Sequence, residues 1–162
     1  MQRTLQLFIL LAAALLLCSR PATAQDRRNP AVPELDLKVS GLYDGYYFHR
    51  KDAKEVTLWG RKLEPYKLVL FRSLTLTPTP KDVEHIERAV RHDTRYSRCK
   101  EEGLRGGHLY YGFYQIPMKS GYSAFIFYRN NALRPAAVPT LTVILMYGDA
   151  TMEELREKFG NK

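Results

Sequence analysis

The chain has 162 residues, of which 45% are hydrophobic and 12% aromatic, and its formal net charge is +8. This many aromatic side chains excludes an intrinsically disordered chain, and the length fits one domain that can bury a sizeable core. Its two cysteines, Cys18 and Cys99, are too few for a disulfide-rich secreted scaffold.

The first 24 residues have the pattern of an export signal. Arg3 supplies a positive charge, and the apolar run 5–17 contains no charged residue but is too short to span a bilayer. Small residues at 22 and 24 fit a signal-peptidase site between Ala24 and Gln25. We therefore expect the mature chain to begin at Gln25 and to work in the periplasm or outside the cell.

Cys18 leaves a lipid-anchored alternative open, because it follows a leucine run. Lipid attachment needs a small residue directly before the cysteine, and Leu17 occupies that place, so soluble export is preferred. Removal of the signal would leave Cys99 as the only cysteine of the mature chain. We therefore expect no internal disulfide.

Residues 25–40 mix charged side chains with Pro30 and Pro33 and show no periodicity, which is typical of an extended arm. From residue 41 onward, short apolar and aromatic runs alternate with turn residues, a pattern that indicates β-strands. We expect a single domain at 41–162. Three strands are predicted in its first half, at 42–48, 56–59 and 66–77.

A helix from residue 80 to about 98 is predicted by its start signal and its periodicity. Thr79 suits the N-cap, Pro80 suits the first helical position, and Asp82 completes a capping box. Apolar residues recur with helical spacing and form one stripe, which consists of Val83, Ile86 and Val90.

The second half repeats this order of elements. Three strands are predicted at 108–116, 122–129 and 141–147. The last of them is apolar on both faces, which indicates a central strand covered on both sides. Thr151 and Glu154 form a second capping box at the start of a C-terminal helix. The apolar stripe of that helix consists of Met152, Leu155 and Phe159.

Each half therefore has the order βββα. Residue identity between the halves is slight, so the alternative is a chance recurrence of this order in a small domain. Strands grouped with helices at their ends predict an α+β fold, with a mainly antiparallel sheet and two helices.

Three runs of the mature domain are also informative: LYYGF at 109–113, FYRNN at 127–131 and YGDATMEEL at 147–155. These runs resemble segments of small exported proteins of Bacteroidota. The resemblance implies a location in the envelope or outside a Gram-negative cell. It implies no activity, cofactor or site residue.

The strands at 108–116 and 122–129 carry a candidate ligand surface. If the link at 117–121 closes symmetrically, Ile116 faces Tyr122 and an aromatic layer forms on one face. The opposite face then carries tyrosines separated by small residues, which suits a sugar or a peptide. These are Tyr110, Tyr114 and Tyr128. The alternative is that a helix covers this face and fills the gap.

A second candidate surface is the basic face of the first predicted helix. Four of its cations could attract a polyanion: Lys81, Arg88, Arg91 and Arg95. Interleaved acidic residues favour the alternative of an ordinary solvated face. No nucleic-acid-binding motif is present, so nucleic acid is not an expected partner.

The sequence contains no motif for catalysis, for a metal or for a cofactor. His85 and His92 are two helical turns apart, roughly 10 Å, which is too far for one metal ion. Cys99 lies in a basic stretch that would activate an exposed thiol, but no partner base is identifiable. We therefore assign no catalytic residue.

These observations predict an exported, single-domain protein that binds a glycan, a peptide or another envelope partner. Two alternatives stay open. One is a small envelope hydrolase or transferase without a recognisable motif, and the other is a polyanion-binding protein that uses the basic helix face. We expect no cofactor and no transmembrane helix in the mature chain.

Overall fold

The computed structural model describes residues 35–43, 45–134 and 138–160. The expected signal segment, the site between Ala24 and Gln25, and residues 25–34 of the expected arm lie outside these ranges. Residues 35–40 belong to the same expected arm, but they pack against the domain, and the side chain of Val39 is fully buried.

Six strands and two α-helices make up the described fold. In chain order they are β1 (Lys54–Trp59), β2 (Leu68–Leu76), α1 (Pro80–Asp93), β3 (Cys99–Arg105), β4 (His108–Pro117), β5 (Ser123–Asn130), β6 (Leu141–Gly148) and α2 (Met152–Gly160). All strands belong to one antiparallel sheet with the order β1-β2-β6-β5-β4-β3. The α+β fold and the mainly antiparallel sheet are therefore confirmed.

The sheet is covered on both faces. On the α1 face, the apolar stripe of α1 and a 3-10 helix at Lys38–Leu42 pack against the sheet. On the α2 face, α2 and a 3-10 helix at Arg61–Tyr66 cover a second set of buried side chains. The central strand β6 contributes to both cores, because Leu145 faces α1 while Met146 faces α2. This confirms the prediction of a central strand covered on both sides.

Helix α1 begins as predicted and ends earlier. The Asp82 backbone N–H donates to Thr79 Oγ1 over 3.3 Å, and the Asp82 carboxylate accepts from the Thr79 backbone N–H over 2.8 Å. The helix stops at Asp93 instead of about 98, because the chain tightens into a 3-10 turn at Thr94–Tyr96. At this end, the Thr94 hydroxyl donates to the Val90 carbonyl over 2.8 Å.

A partly buried ion pair fixes the start of α1. Arg50 Nη1 donates to the Asp82 carboxylate over 2.7 Å. Burial alone would raise the pKa of Asp82, but hydrogen bonds from Arg50 and Thr79 outweigh it and hold that pKa below its usual range. The capping box is therefore tied to the segment before β1, which carries Arg50.

The segment 42–48, predicted as a strand, instead forms parts of two 3-10 helices, at Lys38–Leu42 and Tyr46–His49. Between them, Tyr43 is fully buried, and its hydroxyl donates to the Val143 carbonyl over 3.2 Å. Burial raises the pKa of this hydroxyl far above its ordinary value. The segment thus contributes an anchor to the α1 core instead of a strand to the sheet.

Strand β3 was not predicted. It forms a hairpin with β4 through a two-residue turn at Gly106 and Gly107, whose φ angles are +58° and +81°. Positive φ at both positions is typical of the hairpin turn that glycine adopts without strain. The order of strands and helices is ββα followed by ββββα, so the repeated βββα order is not confirmed.

Neither α1 nor α2 has both the length and the apolar character needed to cross a bilayer, in the part of the chain that the structure describes.

Candidate functional site

The β4–β5 hairpin closes two residues away from the expected register. The Met118 N–H donates to the Tyr122 carbonyl over 2.9 Å, and Gly121 has a φ of +86° in the turn between them. Ile116 consequently pairs with Ala124 and not with Tyr122. A shift of two residues leaves every side chain on the same face of the sheet, because side chains alternate with a period of two.

The tyrosines of the expected ligand surface are not exposed together. Tyr114 and Tyr128 lie in the α1 core, with 2% and 0% of their surface exposed. The Tyr114 hydroxyl donates to the Glu102 carboxylate over 3.1 Å. Burial raises the pKa of both hydroxyls well above the ordinary value. The expected open platform is covered, because α1 packs across this face of the sheet.

The expected gap beside these tyrosines is also filled. A Cβ at Gly112 would lie only 2.4 Å from Cε2 of Tyr114, so the ring of Tyr114 occupies the space above Gly112. Tyr110 is half-buried, and the guanidinium groups of Arg105 and Arg134 lie 5.6 and 5.1 Å from its ring centre. Tyr110 is thus held by cation–π contacts with Arg105 and Arg134. It lies outside the α1 core that contains Tyr114 and Tyr128.

The aromatic layer expected on the opposite face is present. Phe113 and Phe127 pair directly across β4 and β5, and their ring centres are 6.3 Å apart in an edge-to-face arrangement. Tyr111 meets Phe127 diagonally with ring centres 5.7 Å apart. These residues belong to the α2 core, where they stabilise the hairpin.

An open groove of about 650 Å³ lies between α1 and the β3–β4 turn. Arg88, Arg91 and Arg95 line it on the helix side, and the hairpin contributes Leu104 and His108. We call this feature the basic groove. Lys81 belongs to the first turn of α1 and does not line it, so the structure brings together three of the four predicted cations.

The buried carboxylate of Glu87 joins the two walls of the basic groove. It accepts from the Leu109 backbone N–H over 3.1 Å and from Arg91 Nε over 2.8 Å. Its second oxygen lies 3.3 Å from Nδ1 of His108. Arg91 is therefore held in place, and α1 is fastened to the start of β4.

The cations of the basic groove differ in how they are paired. Arg88 forms an exposed ion pair of 2.6 Å with Glu84, one helical turn away, and such pairs contribute little to stability. The side chain of Arg95 makes no ion pair or hydrogen bond with any residue that the structure describes. Arg95 is therefore the cation of the groove with the most free donors.

The hairpin side of this groove was missed at the sequence level. Leu104, whose surface is 57% exposed, was not a candidate, because the strand that carries it was not predicted. His108 was placed at the start of a predicted strand, but nothing in the sequence connected it with α1. The glycine pair at 106–107 is the signal that could have found it, since such a pair between two extended runs predicts a hairpin.

The histidines of α1 do not form a metal site in the described residues, where no group of three metal-binding side chains occurs. His85 contacts the ring of Tyr47 at a centroid distance of 6.2 Å, and His92 Nδ1 lies 3.0 Å from Asp93. Cys99 is the first residue of β3, and its side chain lies outside the described atoms.

Comparison with curated proteins and with solved structures found no match. The model of one protein family, described as a family of unknown function (DUF6108), matches residues 31–159. This match extends over most of the chain and includes all six strands, α1 and nearly all of α2. The chain therefore belongs to the family of unknown function DUF6108.

Proposed function

We propose that this chain is an exported binding domain that takes an anionic ligand in the basic groove. The observation that carries the proposal is the convergence of three arginines on one groove, where they outnumber the two lining glutamates and face the β3–β4 hairpin. Guanidinium groups recognise sulfate, phosphate and carboxylate through paired hydrogen bonds. A sulfated or phosphorylated glycan fits this chemistry.

The pairing of the cations supports a division of roles. Glu87 compensates much of the charge of Arg91 but fixes the orientation of its guanidinium, so Arg91 offers a ligand oriented N–H donors. Arg95 can donate directly, because its side chain is not engaged by other described residues. Leu104 adds an exposed apolar contact across the groove, which suits the carbon skeleton of a glycan.

Binding by Arg95 is tested by retention on immobilised heparin. We expect Arg95→Glu to weaken binding about tenfold or more, since a hydrogen bond to a charged group contributes roughly 1.5–3 kcal/mol. Retention of the parent protein should fall steeply as salt rises, because polyanion binding releases counterions.

Arg61→Glu is the matched control for this experiment. Arg61 is exposed and lies in the 3-10 helix on the α2 face, away from the groove, and its substitution changes the net charge equally. If retention on heparin falls equally in both variants, the loss follows from net charge and not from the groove, and the proposal is overturned. Retention that does not depend on salt would overturn it as well.

Export rests on the amino-terminal segment and on the resemblance to exported proteins of Bacteroidota. The apolar run 5–17 and the small residues before Gln25 support secretion with cleavage after Ala24. In a Gram-negative host, the mature protein should be recovered from the periplasm or the medium, and mass spectrometry of its first peptide should begin at Gln25. A lipid-modified chain that begins at Cys18, or an uncleaved chain in the cytoplasm, would contradict this proposal.

A further inference from the structure

Arg129 carries a buried positive charge on the α2 face of the sheet. It pairs directly with Tyr111 on β4 and with Thr142 on β6, and only 8% of its surface is exposed. Its side chain makes no hydrogen bond or ion pair with any residue that the structure describes. A guanidinium stays protonated at every physiological pH, and a charge that is buried without a partner is costly. The described part of the domain therefore leaves the charge of Arg129 uncompensated.

Arg72 shows how the same fold treats a second buried arginine. It lies on the α1 face, and its surface is also 8% exposed. Its Nη2 donates to the Glu55 carboxylate over 3.2 Å, and its guanidinium lies 4.7 Å from the ring centre of Tyr43. Arg72 and Arg129 thus match in burial and differ in pairing, which makes the isolation of Arg129 a specific feature of its site.

Charged groups from three elements meet near the hydroxyl of Tyr111. Glu101 of β3 pairs across the sheet with Phe113, which is next to Tyr111 on the same face, and Arg156 of α2 forms an ion pair with Glu101. Burial and Glu101 raise the pKa of the Tyr111 hydroxyl, whereas Arg156 and Arg129 lower it. Both guanidinium groups therefore lie close to this one oxygen.

The cluster is open to solvent at the ion pair between α2 and β3. The side chains of Arg156 and Glu101 are each 47% exposed, and Tyr111 is half-buried. Nε of Arg129 is fully enclosed, while its terminal nitrogens Nη1 and Nη2 keep contact with the surface. A ligand can therefore approach Arg129 end-on, and in this direction a guanidinium binds a carboxylate through two parallel hydrogen bonds.

We propose that Arg129 and Tyr111 bind a carboxylate ligand, with the Arg129 guanidinium as the main contact and the Tyr111 hydroxyl as a second donor. We call these two residues with Arg156 and Glu101 the Arg129 site. Its two guanidinium groups and one carboxylate leave one positive charge in excess, which a monoanion neutralises. A dianion such as hydrogen phosphate fits less well, because its second charge would be repelled by Glu101. The site uses no residue of the basic groove.

Melting temperatures test whether Arg129 lacks a partner within the fold. In a buffer without carboxylates, Arg129→Met should melt at or above the parent's temperature, because it replaces an uncompensated buried charge by an apolar chain of similar length. Arg72→Met is the matched control, and it should melt below the parent because it deprives Glu55 of an ion pair. If Arg129→Met melts as far below the parent as Arg72→Met does, Arg129 has a structural partner and the proposal is overturned.

NMR titration of the isotope-labelled protein with acetate tests the ligand class, with acetamide as the neutral counterpart and hydrogen phosphate as the dianion, all at one ionic strength. We expect saturable acetate shifts at Tyr111 and Arg129, and an affinity about tenfold above that for acetamide. Absence of saturable acetate shifts at these residues would overturn the site. Equal affinity for acetamide would overturn recognition of charge, and tighter binding of phosphate would overturn the assignment to a monoanion.

Variants locate the binding of acetate. Arg129→Met should weaken it about tenfold or more, and Tyr111→Phe, which keeps the ring and removes the donor, should weaken it severalfold with little change in melting temperature. Arg95→Glu in the basic groove is the control and should leave the acetate response of Tyr111 unchanged. Failure of the groove proposal would therefore leave this inference standing. Equal losses in Arg95→Glu and Arg129→Met would overturn it.

Discussion

A Val90→Asp variant is expected to lose the folded domain. Val90 is fully buried in the α1 face, in the same core as Ile86, Tyr128 and Leu145. A carboxylate at this position would have to be buried without a partner, at a cost that exceeds about 4 kcal/mol and approaches the whole stability of a small domain. Circular dichroism should show loss of the cooperative melting transition.

The control for this experiment is Val138→Asp. Val138 is 79% exposed, in the loop before β6, so the same substitution there leaves the charge in water. We expect its melting temperature to stay within a few degrees of the parent's. A Val90→Asp variant that melts like the parent would show that α1 does not dock through this stripe.

The helices are the elements that sequence alone predicted best, because their signals are local. Thr79 and Asp82 start α1, and Thr151 and Glu154 start α2, through the same exchange of hydrogen bonds. The end of α1 was less predictable. No glycine directly follows Asp93, and the helix stops at a 3-10 turn. The Asp93 carboxylate there accepts hydrogen bonds from the backbone N–H groups of Lys38 and Val39, which are distant in the sequence.

The strands were predictable where they are buried. Strands β2, β4, β5 and β6 lie within two residues of the predicted bounds, since each carries the apolar pattern of a covered strand. Strand β3 lies at the sheet edge and has the sequence CKEEGLR. Because most of its described side chains are exposed to solvent, the sequence shows no alternation of apolar and polar residues. Its pairing with β4 is what makes it a strand, and that information is not local.

The wrong prediction of a strand at residues 42–48 is the reverse of the case of β3, because here the sequence has a strand-like pattern but no strand forms. The segment is rich in aromatic residues and therefore matches a strand pattern, but it is interrupted by Gly45. Tyr43 in this segment is fully buried, inserts into the α1 core and donates its hydroxyl to backbone carbonyls of β2 and β6. Aromatic content indicated burial correctly at Tyr43 and Tyr47 but not at Tyr46, which is 73% exposed, and it indicated the wrong type of secondary structure.

The candidate sites show the same limit. The sequence placed Tyr114 and Tyr128 on one face and the phenylalanines of the hairpin on the other, as the structure does, because alternation survives a register error of two. Which helix covers which face depends on the chain topology, so burial of these tyrosines could not be deduced from the hairpin alone. The basic groove likewise exists only because an unpredicted strand passes beside α1.

Gly148→Ala is expected to destabilise the domain strongly, because the backbone passes very close to this residue. A Cβ at Gly148 would lie 2.2 Å from the Lys67 carbonyl oxygen and 2.7 Å from Cα of Leu68. These are main-chain atoms, and they cannot turn aside as a flexible side chain can. The same Lys67 oxygen accepts from the Asp149 N–H over 2.9 Å, so the close approach is part of the join between β2 and β6.

The overlap that alanine creates at position 148 can be relieved only if β2 and β6 move apart. We expect a loss of about 3 kcal/mol or more in the free energy of unfolding, with a fall in melting temperature of roughly 10 °C. Gly103→Ala is the matched control, because its Cβ would meet only Cδ1 of Tyr110 at an ordinary 3.8 Å. Alanine also suits a strand better than glycine, so this control should melt at or slightly above the parent's temperature. Equal melting of the two variants would show that β2 and β6 do not approach each other as closely at Gly148 as the structure has them.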